Sequence, residues 1–232
     1  YHKINNTILN HLKKKKKEGE TDFETLNKFD FFDNIKNNNN KISAYLTIQE
    51  GCDKFCHFCV VPFTRGPEYS RPFKKIIDEA EHLIKNGAKE ITLLGQNVDS
   101  YLWYGGGAKK DFKNASFERQ KNSLNFAKLL SKVAQINPLL RIRFSTSNPQ
   151  DMSTDVIDVI AKHNNICKYI HLPVQSGSDK ILKLMKRGYT RKEYIDLMKK
   201  IKQKIPDCAI SMDMITGFCS ESEQDHQETL SL

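Results

Sequence analysis

The sequence predicts an α/β fold in which parallel strands alternate with helices. Two observations favour this class. From Ser43 onward, short apolar segments alternate with segments whose apolar residues recur at helical spacing, and each polar motif directly follows a strand-like segment. A chain that alternates strand and helix forms a parallel sheet with right-handed crossovers. The length of 232 residues allows one large domain, or one domain and a tail.

The strand-like segments are Ser43–Gln49, Lys89–Gly95, Arg141–Thr146, Tyr169–Val174 and Ala209–Gly217. The helical segments are Pro72–Asn86, Leu124–Gln135, Met152–His163, Lys180–Met185, Arg191–Ile205 and Glu221–Leu232. In the first helix Ile76, Ala80 and Leu83 share one face, as in a helix that packs on a sheet. The stretch Leu102–Asn122 predicts a long insertion loop.

Some aromatic and basic residues allow two interpretations. Trp103 and Tyr104 in the insertion loop either stack on an unpaired base or pack locally. Arg65, Arg71 and Arg187 either contact phosphate or pair with acidic side chains. The sequence alone does not decide between these roles.

Residues 1–41 differ in composition from residues 42–232. Lys13 to Lys17 is a run of five lysines, and Asn37 to Asn40 is a run of four asparagines. Such tracts bury little apolar surface, so residues 1–41 predict a polar, basic linker or tail. A basic arm that binds RNA is the alternative.

Net charge, apolar content and cysteine content indicate which partners and which cell compartment to expect. The net charge of +9 favours a polyanion such as tRNA, although a nucleotide bias that enriches lysine would have the same effect. No apolar run approaches the roughly 18 residues of a membrane helix, and no signal peptide is recognisable. Clustered reduced cysteines suit the cytoplasm, and we expect a monomer without a membrane partner.

The most informative motif is the run of Cys52, Cys56 and Cys59, with C-x3-C-x2-C spacing, directly after the first predicted strand. Three thiolates on one loop hold three irons of a cubane cluster and leave the fourth iron open to a small molecule. The next cysteine is Cys167. A structural zinc site would need four ligands. A ferredoxin-type electron carrier would need a fourth cysteine nearby, and a disulfide framework would need more cysteines. An open iron–sulfur cluster is therefore the leading prediction, with zinc or inert thiols as alternatives.

Several motifs resemble one family along the chain. They are GCDKFCHFCVVPFTRG (residues 51–66), SRP (70–72), LGQNVDSY (94–101), RIRFSTSNP (141–149), HLPVQSGS (171–178) and ITGFCSESEQDH (215–226). Together they resemble the radical S-adenosylmethionine (SAM) methylthiotransferases, and within them the MiaB type. The resemblance runs from about Ala44 to the last residue. It implies a partial (β/α)6 barrel of parallel strands, truncated here before its last unit.

The resemblance also implies the ligands of the site, on loops at the carboxyl ends of the strands. Cys52, Cys56 and Cys59 would bind a [4Fe-4S] cluster. The residues that would contact SAM are Gly95, Gln96, Asn97, Ser147, Gln175 and Asp213. Of these, Gly95 would allow close backbone approach to the methionyl part of SAM. Gln96 and Asn97 would be its polar partners. The last three are candidates for ribose or amino contacts, or turn residues.

The activity implied is addition of a methylthio group to C2 of N6-isopentenyladenosine at position 37 of tRNA, with electrons from a flavodoxin- or ferredoxin-like donor. The alternatives are another modified adenosine or a ribosomal protein as target, and a non-catalytic, metal-bound RNA-binding remnant. Full-length relatives bind a second [4Fe-4S] cluster in an amino-terminal domain and end in a small tRNA-binding barrel. Because no cysteine precedes Cys52, we expect a fragment that lacks the ligands of the second cluster.

Overall fold

The computed structural model describes residues 42–232, together with Ile8, Leu9 and Leu12. The chain divides into two units, Tyr1–Asn39 and Asn40–Leu232. In the first unit the three described residues are helical and exposed. The remainder of the predicted tail, residues 1–41, lies outside the described residues, and its role stays a prediction.

Strands and helices alternate through residues 42–232. The strands are β1 (Ser43–Thr47), β2 (Gln49–Glu50), β3 (Tyr69–Ser70), β4 (Glu90–Leu94), β5 (Leu102–Trp103), β6 (Leu124–Asn125), β7 (Arg141–Phe144), β8 (Tyr169–His171) and β9 (Ala209–Ser211). The α-helices are α1 (Val61–Arg65), α2 (Phe73–Lys85), α3 (Phe117–Lys121), α4 (Phe126–Ile136), α5 (Thr154–Lys162), α6 (Asp179–Leu184), α7 (Arg191–Lys204) and α8 (Glu223–Leu230). Short 3-10 helices span Val98–Ser100 and Lys109–Asn114.

Five parallel strands follow one another in the order β1-β4-β7-β8-β9. In the first three, Ile91 lies opposite both Ala44 and Ile142. Strands β8 and β9 pair in parallel, and backbone bonds from Cys167 N to Ile142 O (2.9 Å) and from Ser147 N to His171 O (3.1 Å) join β7 to the β8 segment. Within the described residues β1, β4 and β7 form one parallel sheet and β8 and β9 a second parallel pair, and the strands do not close into a barrel.

The core forms where helices cover the sheet. Ile91 and Leu93 of β4 are fully buried, as are Ile76 and Ala80 of α2. The predicted apolar face of α2 is therefore the face that packs inward. Burial of such side chains contributes roughly 1.5–3 kcal/mol each. In the part of the chain that the structure describes, no helix combines the length and apolar character that crossing a membrane requires.

The segment predicted as an insertion loop is ordered by local contacts. Its ends form an antiparallel pair of β5 and β6, with Trp103 opposite Leu124. The Tyr104 side chain is 4% exposed. Its hydroxyl donates to Ala108 O at 2.6 Å, and the Arg119 guanidinium lies over its ring, 5.0 Å from the centroid. Tyr104 therefore packs locally, and the alternative that it stacks on a base is wrong.

Candidate metal and cofactor site

The cysteine loop, residues 51–60, leaves β2 and enters α1. It begins at Gly51, which has φ +79°, and a Cβ there would lie 2.0 Å from Pro67 O. Only glycine fits such a left-handed, crowded position. Cys52 N donates to Gly66 O at 3.2 Å, and the antiparallel pairing of β2 with β3 closes the loop behind it. The loop is therefore held shut at its base.

The three cysteines of the loop are free thiols. Cys56 is 8% exposed, and Cys52 and Cys59 are half-buried. Burial raises the pKa of the Cys52 thiol to about 11, and the charges of Glu68 and of the two other loop thiols act in the same direction. Burial and these neighbouring charges thus disfavour the thiolate form of Cys52. A bound cationic metal group would remove that penalty, so the donor set fits an iron–sulfur cluster.

A mononuclear metal site has less support. Among the described residues, no three or more His, Cys, Asp or Glu side chains are grouped so as to hold one metal ion. Zinc needs four ligands around a single ion, whereas a cubane cluster takes one thiolate at each of several irons. Three thiolate donors without a fourth ligand suit the second kind of site. The ligand assignment itself stays a prediction.

The loop after β4 holds the base of the cysteine loop. Gln96 Oε1 accepts a hydrogen bond from Gly51 N at 2.6 Å. Gln49, which sequence reasoning did not select, is fully buried. Its amide donates to Gly51 O at 2.7 Å and accepts from Asn97 N at 3.4 Å. A Cβ on Gly95 would lie 2.6 Å from Gln49 Oε1, so the lack of a side chain at Gly95 leaves room for Gln49. The predicted approach of Gly95 to SAM stays a prediction.

Asn97 has one atom without a partner. The residue is 3% exposed, and its Nδ2 donates to Asp151 Oδ2 at 2.5 Å. Within the described residues its Oδ1 is buried and accepts no hydrogen bond. Buried acceptors are nearly always satisfied in folded proteins. The Oδ1 atom of Asn97 therefore fits a hydrogen-bond donor on a bound ligand.

The Ser147 hydroxyl is hydrogen-bonded to the carboxyl group of Asp99. It donates to Asp99 Oδ1 at 3.0 Å, and the two residues are 2% and 7% exposed. Burial raises the pKa of Asp99 to about 8. Within the described residues the Asp99 Oδ2 atom has no hydrogen-bond partner. The structure thus brings Ser147 to the loop after β4, where its hydroxyl already has an acceptor.

Gln175 and Asp213 lie together, just beyond the carboxyl ends of β8 and β9. Gln175 N donates to Asp213 O at 2.9 Å, and Gln175 adopts φ +76°. The Asp213 carboxylate is 66% exposed and lies 3.4 Å from His171 Nε2. These described contacts join the two residues to each other and to β8. None of them reaches the cysteine loop.

The contacts of Arg65, Arg71 and Arg187 differ from one another. Arg65 lies 3.3 Å from a Glu50 carboxylate oxygen, and Arg71 lies 2.5 Å from one of Glu79. Both therefore follow the acid-pairing alternative. Arg187, which follows α6, donates instead to the Cys56 sulfur at 3.4 Å. A lone arginine 131 residues from the cysteine loop carried no sequence signal of this contact.

Comparisons with known proteins agree with this geometry. The model of the family described as "Radical SAM superfamily" matches residues 46–232. The chain is 60% identical over 198 residues (85% of this chain, 41% of the relative) to the tRNA-2-methylthio-N(6)-dimethylallyladenosine synthase of Christiangramia forsetii. It is 55% identical to the protein of that name from Karelsulcia muelleri, covering 100% of this chain and 51% of the relative. The chain thus spans about half the length of these curated relatives.

Solved structures show the same fold at low identity. The cobalamin-dependent SAM radical enzyme OxsB with aqua-cobalamin and SAM bound is similar with a TM-score of 0.58 and 13% identity, over 81% of this chain and 26% of that chain. The radical SAM methyltransferase TsrM from Kitasatospora setae is similar with a TM-score of 0.58 and 14% identity, over 82% of this chain and 33% of that chain.

Proposed function

Because the chain belongs to the radical SAM superfamily, a family that implies a [4Fe-4S] cluster and SAM, we propose that Cys52, Cys56 and Cys59 bind the cluster with SAM beside it. Residues 42–232 are the radical SAM core domain in this proposal, and residues 1–41 are a linker or tail. The observation that carries it is the closed loop of free thiols beside the buried, unpartnered Asn97 Oδ1.

We further propose that the activity is methylthiolation at C2 of N6-isopentenyladenosine in tRNA. Support comes from relatives at 60% and 55% identity that carry the name tRNA-2-methylthio-N(6)-dimethylallyladenosine synthase. The net charge of +9 suits a tRNA partner. In this proposal the protein works as a monomer in the cytoplasm, with a flavodoxin- or ferredoxin-like electron donor. The second cluster that the activity needs corresponds, in this proposal, to the one expected in full-length relatives.

In this proposal the chain's own residues bind SAM and orient one another around it. When bound, the cluster and SAM supply one-electron reductive cleavage of the sulfonium carbon–sulfur bond. Asn97 Oδ1 accepts an N–H from the amino group of SAM. The Gly95 backbone lies close to the methionyl part of SAM in this proposal, while Gln49 Oε1 occupies the space of the missing Cβ. Gln96 acts indirectly, because its amide oxygen is taken by Gly51 N. Ser147 likewise orients Asp99.

Gln175 and Asp213 remain candidates for ribose or amino contacts. The Asp213 carboxylate is 66% exposed beside His171, so it can accept from a sugar hydroxyl, as ribose-binding acids do. The left-handed backbone of Gln175 turns the chain at the carboxyl end of β8, where ligands bind in parallel α/β sheets.

The test is electron paramagnetic resonance of the anaerobically reconstituted, reduced chain, with and without SAM. We expect a reduced-cluster signal that changes when SAM is added. Cys56→Ala should lose or alter the signal, whereas Cys219→Ala, at an exposed free cysteine, should keep it. A folded wild-type chain without any cluster signal would contradict the proposal.

The tRNA target has its own test. The full-length protein is supplied to cells that lack the modification, and their tRNA nucleosides are measured by mass spectrometry. We expect 2-methylthio-N6-isopentenyladenosine with the wild-type protein and its unthiolated precursor with Cys56→Ala. A methylthio group on another adenosine, or on a ribosomal protein, would overturn the target while leaving the cluster proposal standing.

A further inference from the structure

We propose that Arg187 is a positioning residue for the iron–sulfur cluster: its guanidinium donates to the Cys56 thiolate and favours the reduced state of the cluster. This inference rests on the proposed function, since it requires a cluster bound at Cys56. It assigns a role to a residue that lies far from the cysteine motif in sequence.

The guanidinium is fixed by bonds from all three of its nitrogens. Nη1 donates to Cys56 Sγ at 3.4 Å, Nη2 to Pro173 O at 3.1 Å, and Nε to the Tyr189 hydroxyl at 2.9 Å. The Tyr189 ring also lies under the cation, with its centroid 5.1 Å away. The Tyr189 hydroxyl in turn donates to Val174 O at 2.7 Å. The positive charge therefore has little freedom to move away from Cys56.

Contacts of His57 bring the same two segments together independently. His57 N donates to Met185 O at 3.1 Å, and His57 Nδ1 lies 2.7 Å from Leu184 O. At the end of α6, Lys186 adopts φ +62°, a left-handed conformation that commonly ends a helix. That turn directs the following residue, Arg187, back to the cysteine loop. The contact is thus part of the local backbone path and does not depend on one long side chain alone.

The position of the charge gives the contact its chemical meaning. One-electron reduction adds a negative charge that spreads over the cluster and its thiolate ligands. A cation held at a ligand sulfur stabilises the reduced form more than the oxidised form, and hydrogen bonds to sulfur are among the factors that set cluster potentials. Cys56 is 8% exposed, so water screens this interaction weakly. Removing Arg187 should therefore make the cluster harder to reduce.

The experiment compares Arg187→Met with Lys186→Met in the reconstituted chain. Lys186 is the adjacent, exposed cation, so the control removes the same charge from the same segment. Iron and sulfide content are measured first, and the midpoint potential is then measured by a redox titration monitored by electron paramagnetic resonance. For Arg187→Met we expect an approximately tenfold lower equilibrium constant for reduction, which is about 59 mV for one electron. Lys186→Met should leave the potential unchanged.

Two further variants separate positioning from folding. Arg187→Lys keeps the charge but loses the three-point attachment, so its potential should lie between those of wild type and Arg187→Met. Tyr189→Phe keeps the ring and removes the acceptor for Nε, and it should shift the potential in the same direction by less. If Arg187→Met does not retain a cluster, these two variants decide the question.

The outcomes distinguish the two proposals. Full cluster content with an unchanged potential in the Arg187 variants overturns the role of Arg187 and leaves the cluster proposal standing. A wild-type chain that assembles no cluster overturns both. A lower melting temperature with an unchanged potential identifies Arg187 as a packing residue only.

Discussion

Lys54 Nζ lies 2.8 Å from Asp151 Oδ2, an ion pair that ties the cysteine loop to the loop after β7. The two side chains are 23% and 16% exposed, so the pair is mostly shielded from water. Asp151 also accepts from Asn97 Nδ2. One carboxylate therefore connects the loops that follow the first three parallel strands of the sheet.

This ion pair should contribute more to stability than an exposed one. In a double-mutant cycle of Lys54→Met and Asp151→Asn, we expect a coupling free energy of about 1–2 kcal/mol in urea unfolding, since the pair is partly buried and shares a hydrogen-bond network. The control is the pair of Lys74 and Asp78 at 3.1 Å, with side chains 88% and 56% exposed. Its coupling should be about 0.5 kcal/mol or less. Equal coupling in the two cycles would contradict this interpretation.

Gly95→Ala should disturb the base of the cysteine loop. Its Cβ would meet Gln49 Oε1 at 2.6 Å, and forcing atoms into a packed interior costs roughly 1–3 kcal/mol. We expect that loss in the free energy of unfolding, together with lower iron uptake. In a Gln49→Ala background the same substitution should cost less, because the clashing amide is gone. Equal cost in both backgrounds would rule out this steric cause.

Asn97→Ala should weaken SAM binding to the reconstituted chain. The Oδ1 atom that we assign to the SAM amino group would be lost, and hydrogen bonds to charged groups contribute about 1.5–3 kcal/mol. We therefore expect the dissociation constant to rise about tenfold to a hundredfold, measured by equilibrium binding. Asn86→Ala, at an asparagine whose exposed side-chain contact is to His82, is the control. Unchanged affinity in Asn97→Ala would remove Asn97 from the proposed site.

Asp99→Asn should remove a pH dependence of stability. Burial raises the folded-state pKa of Asp99 from 3.8 to about 8. Between these values the folded state keeps a proton that the unfolded state has released, so this group lowers stability as pH rises. The loss amounts to about 2 kcal/mol between pH 6 and pH 8.

The measurement for Asp99 is urea unfolding at those two pH values. The wild-type chain should lose more stability than Asp99→Asn on going from the lower to the higher pH. Asp207→Asn, at an exposed carboxylate, is the matched control. If Asp99→Asn and wild type show the same pH profile, the buried carboxyl does not titrate in this range.

Periodicity alone predicted the parallel sheet and its helices well. The helix expected at Pro72–Asn86 is observed at Phe73–Lys85, because its apolar face and its proline start are local signals. The prediction of a long insertion loop was wrong in detail, because the order of this segment depends on non-local contacts. Its order depends on pairing between β5 and β6 and on the Tyr104–Arg119 contact, and neither follows from a local pattern.

In the candidate site, too, features set by local sequence were predicted and features set by distant contacts were not. The cysteine spacing was visible in sequence, and so was the loop that begins at Gly95. The roles of Gln49, Lys54 and Arg187 were not, because each depends on a distance between side chains that one sequence does not contain. Ser147 and Gln96 show a related limit: the family resemblance implied SAM contacts for both residues, but in the structure their side-chain oxygens contact Asp99 and Gly51.

The contacts that shape the cysteine loop also bear on when it forms. Gly51, Lys54, His57 and Cys56 bond to partners 45, 97, 127 and 131 residues later in the chain. Contacts of such long sequence separation form late, since the intervening chain must first be ordered. During synthesis the three thiols emerge well before the segments that enclose them. In the proposed site, the loop that would hold the cluster therefore reaches its final shape only after these later segments have folded.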